Sequence, residues 1–193
     1  NIVISIIIFS TLMYGVSSIR ASKSIANIIY VVSKMKYSSQ YAIFTEPYMY
    51  ISMNVENFMN AVNKLENFSY GYFTFDFLLA LTGLKHWILD YSNIQEFPHL
   101  ITHNYNTYTM FFVYYRDFGL AGVAFFPFLL GFVISKTYYL LRSDPSISRL
   151  AIYSVFVFII IFSFFIPMLN WLHFVMNFTV IAVIARMIVT SDG

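Results

Sequence analysis

Long apolar runs without charge are the feature that most constrains this chain. Residues 1–19 hold no charged side chain, residues 118–141 hold one lysine near their end, and residues 150–190 hold one arginine. A helix that crosses a bilayer needs about 20 mostly apolar residues. The third run is long enough for two such helices, joined by a tight turn at Pro167. The sequence therefore predicts an all-α polytopic membrane protein with about four transmembrane helices, at 1–19, 118–141, 150–168 and 171–190.

The composition excludes most soluble and nucleic-acid-binding classes. The 193 residues are 59% hydrophobic and only 10% charged, whereas an average globular domain is about 25% charged. A formal net charge of +2 is too small for the basic surface of a nucleic-acid-binding protein. The chain has no cysteine, which excludes disulfides and thiolate metal sites. Because it begins at Asn1 inside an apolar run, we expect it to be the C-terminal fragment of a longer protein.

The charged residues are concentrated between the first two apolar runs. Residues 41–117 carry ten of the twenty charges, seven acidic and three basic, which favours an extracytoplasmic loop under the positive-inside rule. We expect this large loop, rich in Tyr and Phe, to pack as short helices against the membrane face. The short connection at residues 142–149 carries two arginines and favours the cytoplasmic side.

The basic connection at residues 20–40 leaves the topology of the first part open. It holds four basic residues and no acidic one, which favours the cytoplasm. The apolar piece inside it, residues 25–32, is about 12 Å of helix and too short to span. Either a broken or re-entrant segment around residues 41–51 completes a crossing, or the basic cluster violates the rule.

The densest polar signal lies at the start of the second apolar run. It comprises His103, Asn104, Asn106, Thr107, Thr109, Tyr115, Arg116 and Asp117. Ionisable residues at a membrane boundary are costly, which favours a functional role. If residues 106–117 form a helix, Asp117 shares a face with Asn106. Arg116 then lies on the neighbouring face with Thr109, and the two adjacent charged side chains point in different directions.

The charged and imidazole groups of this cluster have different alternatives. Arg116 presents five donors in a fixed fork that suits a diphosphate. Asp117 can serve as the N-cap of a helix that starts at Phe118, a role that we favour over catalysis. His103 fits a ligand-binding group and a surface imidazole equally well. The chain has no clustered carboxylates of the kind that hold Mg²⁺ or Mn²⁺, so we expect metal-independent chemistry and no cofactor.

Three sequence blocks resemble the bacterial oligosaccharide repeat-unit polymerases, the Wzy-type family of polytopic membrane glycosyltransferases. The blocks are YMYISMNVENF at residues 48–58, YGYFTF at 70–75, and a third that runs from NTYT at 106–109 to YRDFG at 115–119. The third block is the most specific, and the resemblance covers roughly residues 41–141. Gly122 and the Leu130–Gly131 pair follow behind this block. We expect Gly119, Gly122 and Gly131 to allow close helix packing.

The resemblance implies a GT-C-like enzyme at the outer face of the bacterial plasma membrane. It would join repeat units carried on undecaprenyl diphosphate into O-antigen, capsular or exopolysaccharide, by glycosyl transfer with the diphosphate leaving. Its partners would be these lipid-linked oligosaccharides, the lipid bilayer, and chain-length regulator and flippase proteins, without nucleic acid.

By position, the resemblance assigns roles to the polar cluster. Arg116 would stabilise the leaving diphosphate, and Asp117 or Glu46 would be the base near the acceptor hydroxyl. The residues that would position acceptor or phosphate are His103, Asn104, Asn106 and Thr107, with Thr109 and Tyr115 beside them. Two alternatives stay open: an O-antigen ligase-type glycan transferase, which has the same leaving group, and a polysaccharide flippase or other transporter. A membrane scaffold subunit would leave the polar cluster unexplained.

Overall fold

The computed structural model describes residues 4, 7, 8, 11, 27, 29–31, 34–88, 99–102 and 105–191. Within these residues the chain is helical and contains no strand. The expected all-α class is confirmed at this level. Most of the predicted first span, at residues 1–19, lies outside the described residues.

The loop expected between the first two spans begins with a long helix. A 3₁₀ turn at Ser39–Tyr41 leads into helix α1, Ala42–Lys64. Short helices are predicted here, but α1 has 23 residues. It is also continuous through residues 42–51, where a broken or re-entrant segment is one of the two alternatives. The helix contains no glycine, and four of its buried positions recur every four residues along one face. These positions are Met49, Met53, Asn57 and Ala61.

Two short helices follow α1. They are α2, Asp76–Thr82, and α3, Lys85–Ile88. Helix α2 ends at Gly83, whose φ of 72° is the left-handed conformation common after the end of a helix. Lys85 forms a salt bridge with Asp76 across the junction. Because both side chains are partly exposed, this pair contributes about 1 kcal/mol or less.

Helix α4, Met110–Ser143, bends sharply at Gly119. Gly119 has φ 61° and ψ −146°, a conformation that is essentially restricted to glycine. The bend folds the first turns of α4 back onto the part of the helix that follows Gly119. The rings of Tyr114 and Phe126 show this, since they stack with centroids 5.0 Å apart. In a straight helix these positions would be about 18 Å apart. Residues 120–143 continue as an apolar helix of about 36 Å, close to the predicted span at 118–141.

Helices α5, Ile147–Phe162, and α6, Leu172–Ser191, pack against each other as a hairpin. Helix α5 begins after Ser146, whose hydroxyl accepts the backbone N–H of Arg149 at 3.3 Å as an N-cap. It ends earlier than the predicted 150–168 span because the backbone turns at Ser163. The carbonyl of Ser163 accepts the first N–H of α4, from Met110, at 2.7 Å. The hairpin therefore holds the start of α4.

Helix α4 is the one helix in the described ranges that is long and apolar enough to cross a membrane by length and composition. Helix α5 and the Leu172–Met187 part of α6 are apolar but shorter. The described part of the chain is thus compatible with a helical membrane protein.

The bend predicts that a side chain added at Gly122 strongly lowers the stability of the protein. An added Cβ would lie 2.3 Å from the backbone oxygen of Tyr114, which cannot move aside as a flexible side chain would. We expect Gly122→Ala to lower the free energy of unfolding by about 1–3 kcal/mol, measured by denaturant unfolding in detergent. The control is Gly131→Ala on the same helix, where the added Cβ meets open space. It should be neutral or stabilising by up to about 1 kcal/mol, and equal stabilities of the two variants would contradict the bend.

Candidate functional site

The bend in α4 opens two helical carbonyl groups to a neighbouring segment. In an unbroken helix, the carbonyls of Arg116 and Asp117 would accept N–H groups four residues later. Here they accept the backbone N–H groups of Ser69 at 3.0 Å and Tyr70 at 3.2 Å. The Ser69 hydroxyl adds a 3.2 Å bond to the Arg116 carbonyl. Residues 69–75 are therefore attached to α4 at its charged pair, and we call them the first strap.

Asp117 holds the first strap through its side chain as well. Its carboxylate is fully buried, and one oxygen accepts the Ser69 hydroxyl at 2.7 Å and the Phe73 N–H at 3.3 Å. The other oxygen accepts the Thr74 N–H. The expected role as the N-cap of a helix starting at Phe118 is wrong, since the carboxylate accepts from the strap and residues 117 and 118 continue the helix that starts at Met110. A carboxylate with both oxygens engaged suits positioning and is poorly placed to take a proton from a substrate.

The first strap has a shape that needs its glycine. Gly71 has a φ of 97°, and a Cβ there would lie 3.0 Å from the ring of Phe75. On the other side, the Asn170 side chain in the turn before α6 donates to the Phe73 carbonyl at 2.6 Å. The strap is thus held between α4 and the α5–α6 hairpin.

Arg116 lies buried against aromatic rings. Its guanidinium carbon is 3.7 Å from the ring centroid of Phe73 and 5.8 Å from that of Phe112, and the residue is 8% exposed. This contact with an aromatic face stabilises the guanidinium at its position against Phe73. The sequence predicts that Arg116 and Asp117 point apart. Both side chains nevertheless contact the first strap, because it packs around the bend.

Tyr108 adds a neutral hydroxyl near Arg116. Its ring stacks on Phe112 with centroids 3.9 Å apart. Burial raises the pKa of Tyr108 to about 12, although the positive charge of Arg116 lowers the pKa in part. The phenol therefore stays protonated at physiological pH and is not available as a base.

The predicted substrate-binding residues before α4 have different surroundings. Asn106 is exposed and precedes the helix, rather than sharing a helical face with Asp117. Thr107 is half-buried, and its hydroxyl donates to the side chain of Asn54 on α1. Thr109 is buried at the N-cap position of α4, and within the described part of the chain its hydroxyl has no hydrogen-bond partner. Of these three, Asn106 is the most accessible to a ligand.

Tyr115 is engaged with α1 rather than exposed to a substrate. Its hydroxyl donates to the Val62 carbonyl at 3.4 Å, and its ring packs edge-on against Phe58 with centroids 5.9 Å apart. These contacts favour a packing role. Three predicted side chains lie outside what the structure describes: His103, Asn104 and Glu46.

Sequence reasoning missed a row of asparagines on α1. Asn54, Asn57 and Asn60 recur every three residues, and all three side chains bond to the described residues 99–102 and 105–107, which we call the second strap. The signal was present as NVENFMN, three amides at one-turn spacing inside a helix whose other buried positions are largely apolar. Sequence reasoning also missed Ser69 in the first strap.

The three blocks that carry the resemblance meet in the structure. The second block lies in the first strap and contributes Phe73, whose ring lies under Arg116 of the third block. The first block contributes Asn54 and Asn57, which bond to the chain just before α4. Blocks separated by tens of residues thus surround one end of one helix.

Comparisons of the chain with protein-family models, with curated proteins and with solved structures found no match. Within the described residues, no three His, Cys, Asp or Glu side chains form a group that could hold a metal ion. Metal-independent chemistry stays a prediction. A function for this chain is therefore argued from the site geometry and the sequence resemblance alone.

The contacts of Asp117 predict a stability effect that is separate from activity. In Asp117→Asn, an NH₂ group replaces one oxygen and faces a buried donor, which then loses its acceptor. We expect the free energy of unfolding to fall by about 1–3 kcal/mol, measured by denaturant unfolding in detergent. The control Asp144→Asn removes a largely exposed carboxylate beside Arg149 and should change stability by less than about 1 kcal/mol. Wild-type stability in Asp117→Asn would show that the strap does not depend on this carboxylate.

Proposed function

We propose that the chain belongs to a membrane glycosyltransferase that polymerises undecaprenyl-diphosphate-linked oligosaccharide repeat units into O-antigen, capsular or exopolysaccharide. The observation that carries the proposal is the placement of Arg116, whose guanidinium stacks on Phe73 at 3.7 Å. The three blocks that resemble the polymerase family converge near this arginine, and a guanidinium is the side chain best suited to a diphosphate.

The reaction needs positive charge at the leaving group. The acceptor hydroxyl oxygen attacks the anomeric carbon of the growing chain, the bond from that carbon to the diphosphate oxygen breaks, and the hydroxyl proton passes to a base. Negative charge grows on the diphosphate as this bond breaks, so a cation already held in place lowers the barrier. Stacking holds Arg116 in such a fixed orientation, and we assign it this role.

The base is proposed among residues other than Asp117. The Asp117 carboxylate already accepts hydrogen bonds from Ser69, Phe73 and Thr74, so it serves the reaction by holding the first strap. Of the two candidates that the resemblance implies, Glu46 is then the proposed base.

The proposed location follows from the two parts of α4. The part after the bend is about 36 Å long, which exceeds a hydrocarbon core of about 30 Å. Arg116 comes just before the bend and so lies near one end of this apolar helix. A lipid-linked substrate presents its diphosphate at such a boundary. We therefore propose a multi-pass protein of the bacterial plasma membrane with about four transmembrane helices, a GT-C-like arrangement, and the site facing outward.

The role of Arg116 is tested by the length of the surface polysaccharide. Arg116→Ala should abolish long chains at normal protein level. Arg116→Lys should recover less than about a tenth of the activity, because an ammonium cannot form the two-pronged contact. The measurement is a gel of surface polysaccharide from a strain deleted for the full-length gene and complemented with each variant. The control is Arg142→Ala, which changes an exposed arginine in the last turn of α4 and should leave the ladder unchanged.

The same gel separates the alternative functions. If the deletion strain and the strain carrying Arg116→Ala make only single repeat units where wild type makes long chains, the result supports a polymerase. Loss of every glycan-capped product, single units included, indicates a ligase or a flippase. A complete ladder in Arg116→Ala would remove the assigned role.

The stacking contact makes a separate kinetic prediction. Phe73→Leu keeps an apolar side chain beside Arg116 but removes the aromatic face. Because the aromatic face orients Arg116 toward the leaving group in this proposal, its loss should lower kcat by about 5- to 30-fold, the rate equivalent of about 1–2 kcal/mol of transition-state stabilisation. The measurement is turnover of lipid-linked repeat units by the purified full-length protein. Phe128→Leu is the control, since Phe128 is 72% exposed on α4. Equal kcat in both variants would show that stacking does not orient the arginine.

A further inference from the structure

The row of asparagines on α1 has no role in the function proposed above. Asn54, Asn57 and Asn60 lie about one turn apart on the helix. Asparagine inside a helix is unfavourable by itself, because its amide competes for backbone hydrogen bonds. Three of them at this spacing are therefore expected to have tertiary partners, and the structure places those partners in the second strap.

Asn57 is the centre of the row. It is 0% exposed, and its Oδ1 accepts the backbone N–H of Ile101 at 3.0 Å. Its Nδ2 donates to the carbonyls of Tyr105 at 2.7 Å and Thr107 at 3.1 Å. One amide thus satisfies three backbone groups of the strap, using both of its N–H donors and its oxygen.

The other two asparagines hold the ends of the strap. Oδ1 of Asn54 accepts the hydroxyl of Thr107, and Nδ2 of Asn60 donates to the carbonyl of His99 at 2.5 Å. The three positions extend over about 9 Å of one rigid helix. The two ends of the strap are therefore fixed to the same body.

We infer that the asparagine row is the positioning element of the second strap, and that it sets where the strap meets the substrate. The inference rests on the proposed function, because the strap carries Asn106 and Thr107 and leads into α4 two turns before Arg116. A segment without regular structure keeps its side chains in place only when a rigid element holds it. The asparagines act through the strap and are positioning residues.

Hydrogen exchange tests the attachment. Asn57→Leu has a similar volume but makes none of the three bonds. In the full-length protein in lipid nanodiscs, amide exchange of the second strap should speed up by at least about tenfold, since local opening then costs less. The matched control is Asn63→Leu, an exposed asparagine on the same helix, which should leave exchange unchanged. Unchanged exchange in Asn57→Leu would overturn the inference.

Kinetics test the positioning role. We expect Asn57→Leu to raise the KM for the lipid-linked repeat unit by about tenfold while kcat changes less, whereas a purely structural loss lowers the amount of active enzyme and leaves KM alone. Variants at Asn54 control for misfolding of the Asn57→Leu protein. Asn54→Asp keeps an acceptor for the Thr107 hydroxyl and should stay closer to the wild-type KM than Asn54→Leu.

The two measurements separate this inference from the proposed function. Faster exchange together with a raised KM supports the inference. Faster exchange with an unchanged KM overturns it, while a wild-type protein that makes long polymer leaves the proposed function intact. A wild-type protein that makes no polymer overturns the proposed function and the substrate-facing half of the inference.

Discussion

The buried carboxylate of Asp117 is the contact on which the rest of the site depends. Removing a carboxylate from water costs several kcal/mol unless donors replace the lost water. Here the hydroxyl of Ser69 and the N–H groups of Phe73 and Thr74 replace it. The same bonds hold Phe73 where its ring lies against Arg116. The orientation of the cation therefore follows from the acid beside it, through the first strap.

The bend at Gly119 makes this arrangement possible. It frees the carbonyls of Arg116 and Asp117, which then accept the N–H groups of Ser69 and Tyr70. Because the turns on either side of the bend touch, the chain also needs a residue without Cβ at Gly122. A single helix thus supplies both an apolar part of membrane-spanning length and the polar end that carries the site.

Two straps without regular structure meet the start of α4, and each is held by side chains from a helix or a turn. The first strap is held by Asp117 and Asn170, the second by the asparagine row of α1. In a medium of low dielectric these hydrogen bonds are stronger than in water, and an unmade one is costly. Such bonds satisfy the backbone groups of irregular segments and keep their side chains in place.

The sequence by itself determined the helical class, because long uncharged runs leave only the helix as a way to satisfy the backbone in lipid. It also singled out Arg116 as a candidate, because an ionisable side chain at the edge of an apolar run is costly and so predicts a function. It favoured capping over catalysis for Asp117, which was wrong, because the donors to this carboxylate come from a strap more than 40 residues earlier. Nor could it separate the glycines: all three were expected at helix contacts, but Gly119 forms the bend, Gly122 touches its own helix, and Gly131 has open space. The asparagine row of α1 is visible as a spacing pattern in the sequence. The hydrogen-bond partners of Asn57 could not be predicted, because they are 44 to 50 residues away. Periodicity and charge act over a few residues and fix local structure, whereas the choice of a hydrogen-bond partner depends on which distant segments the fold brings together.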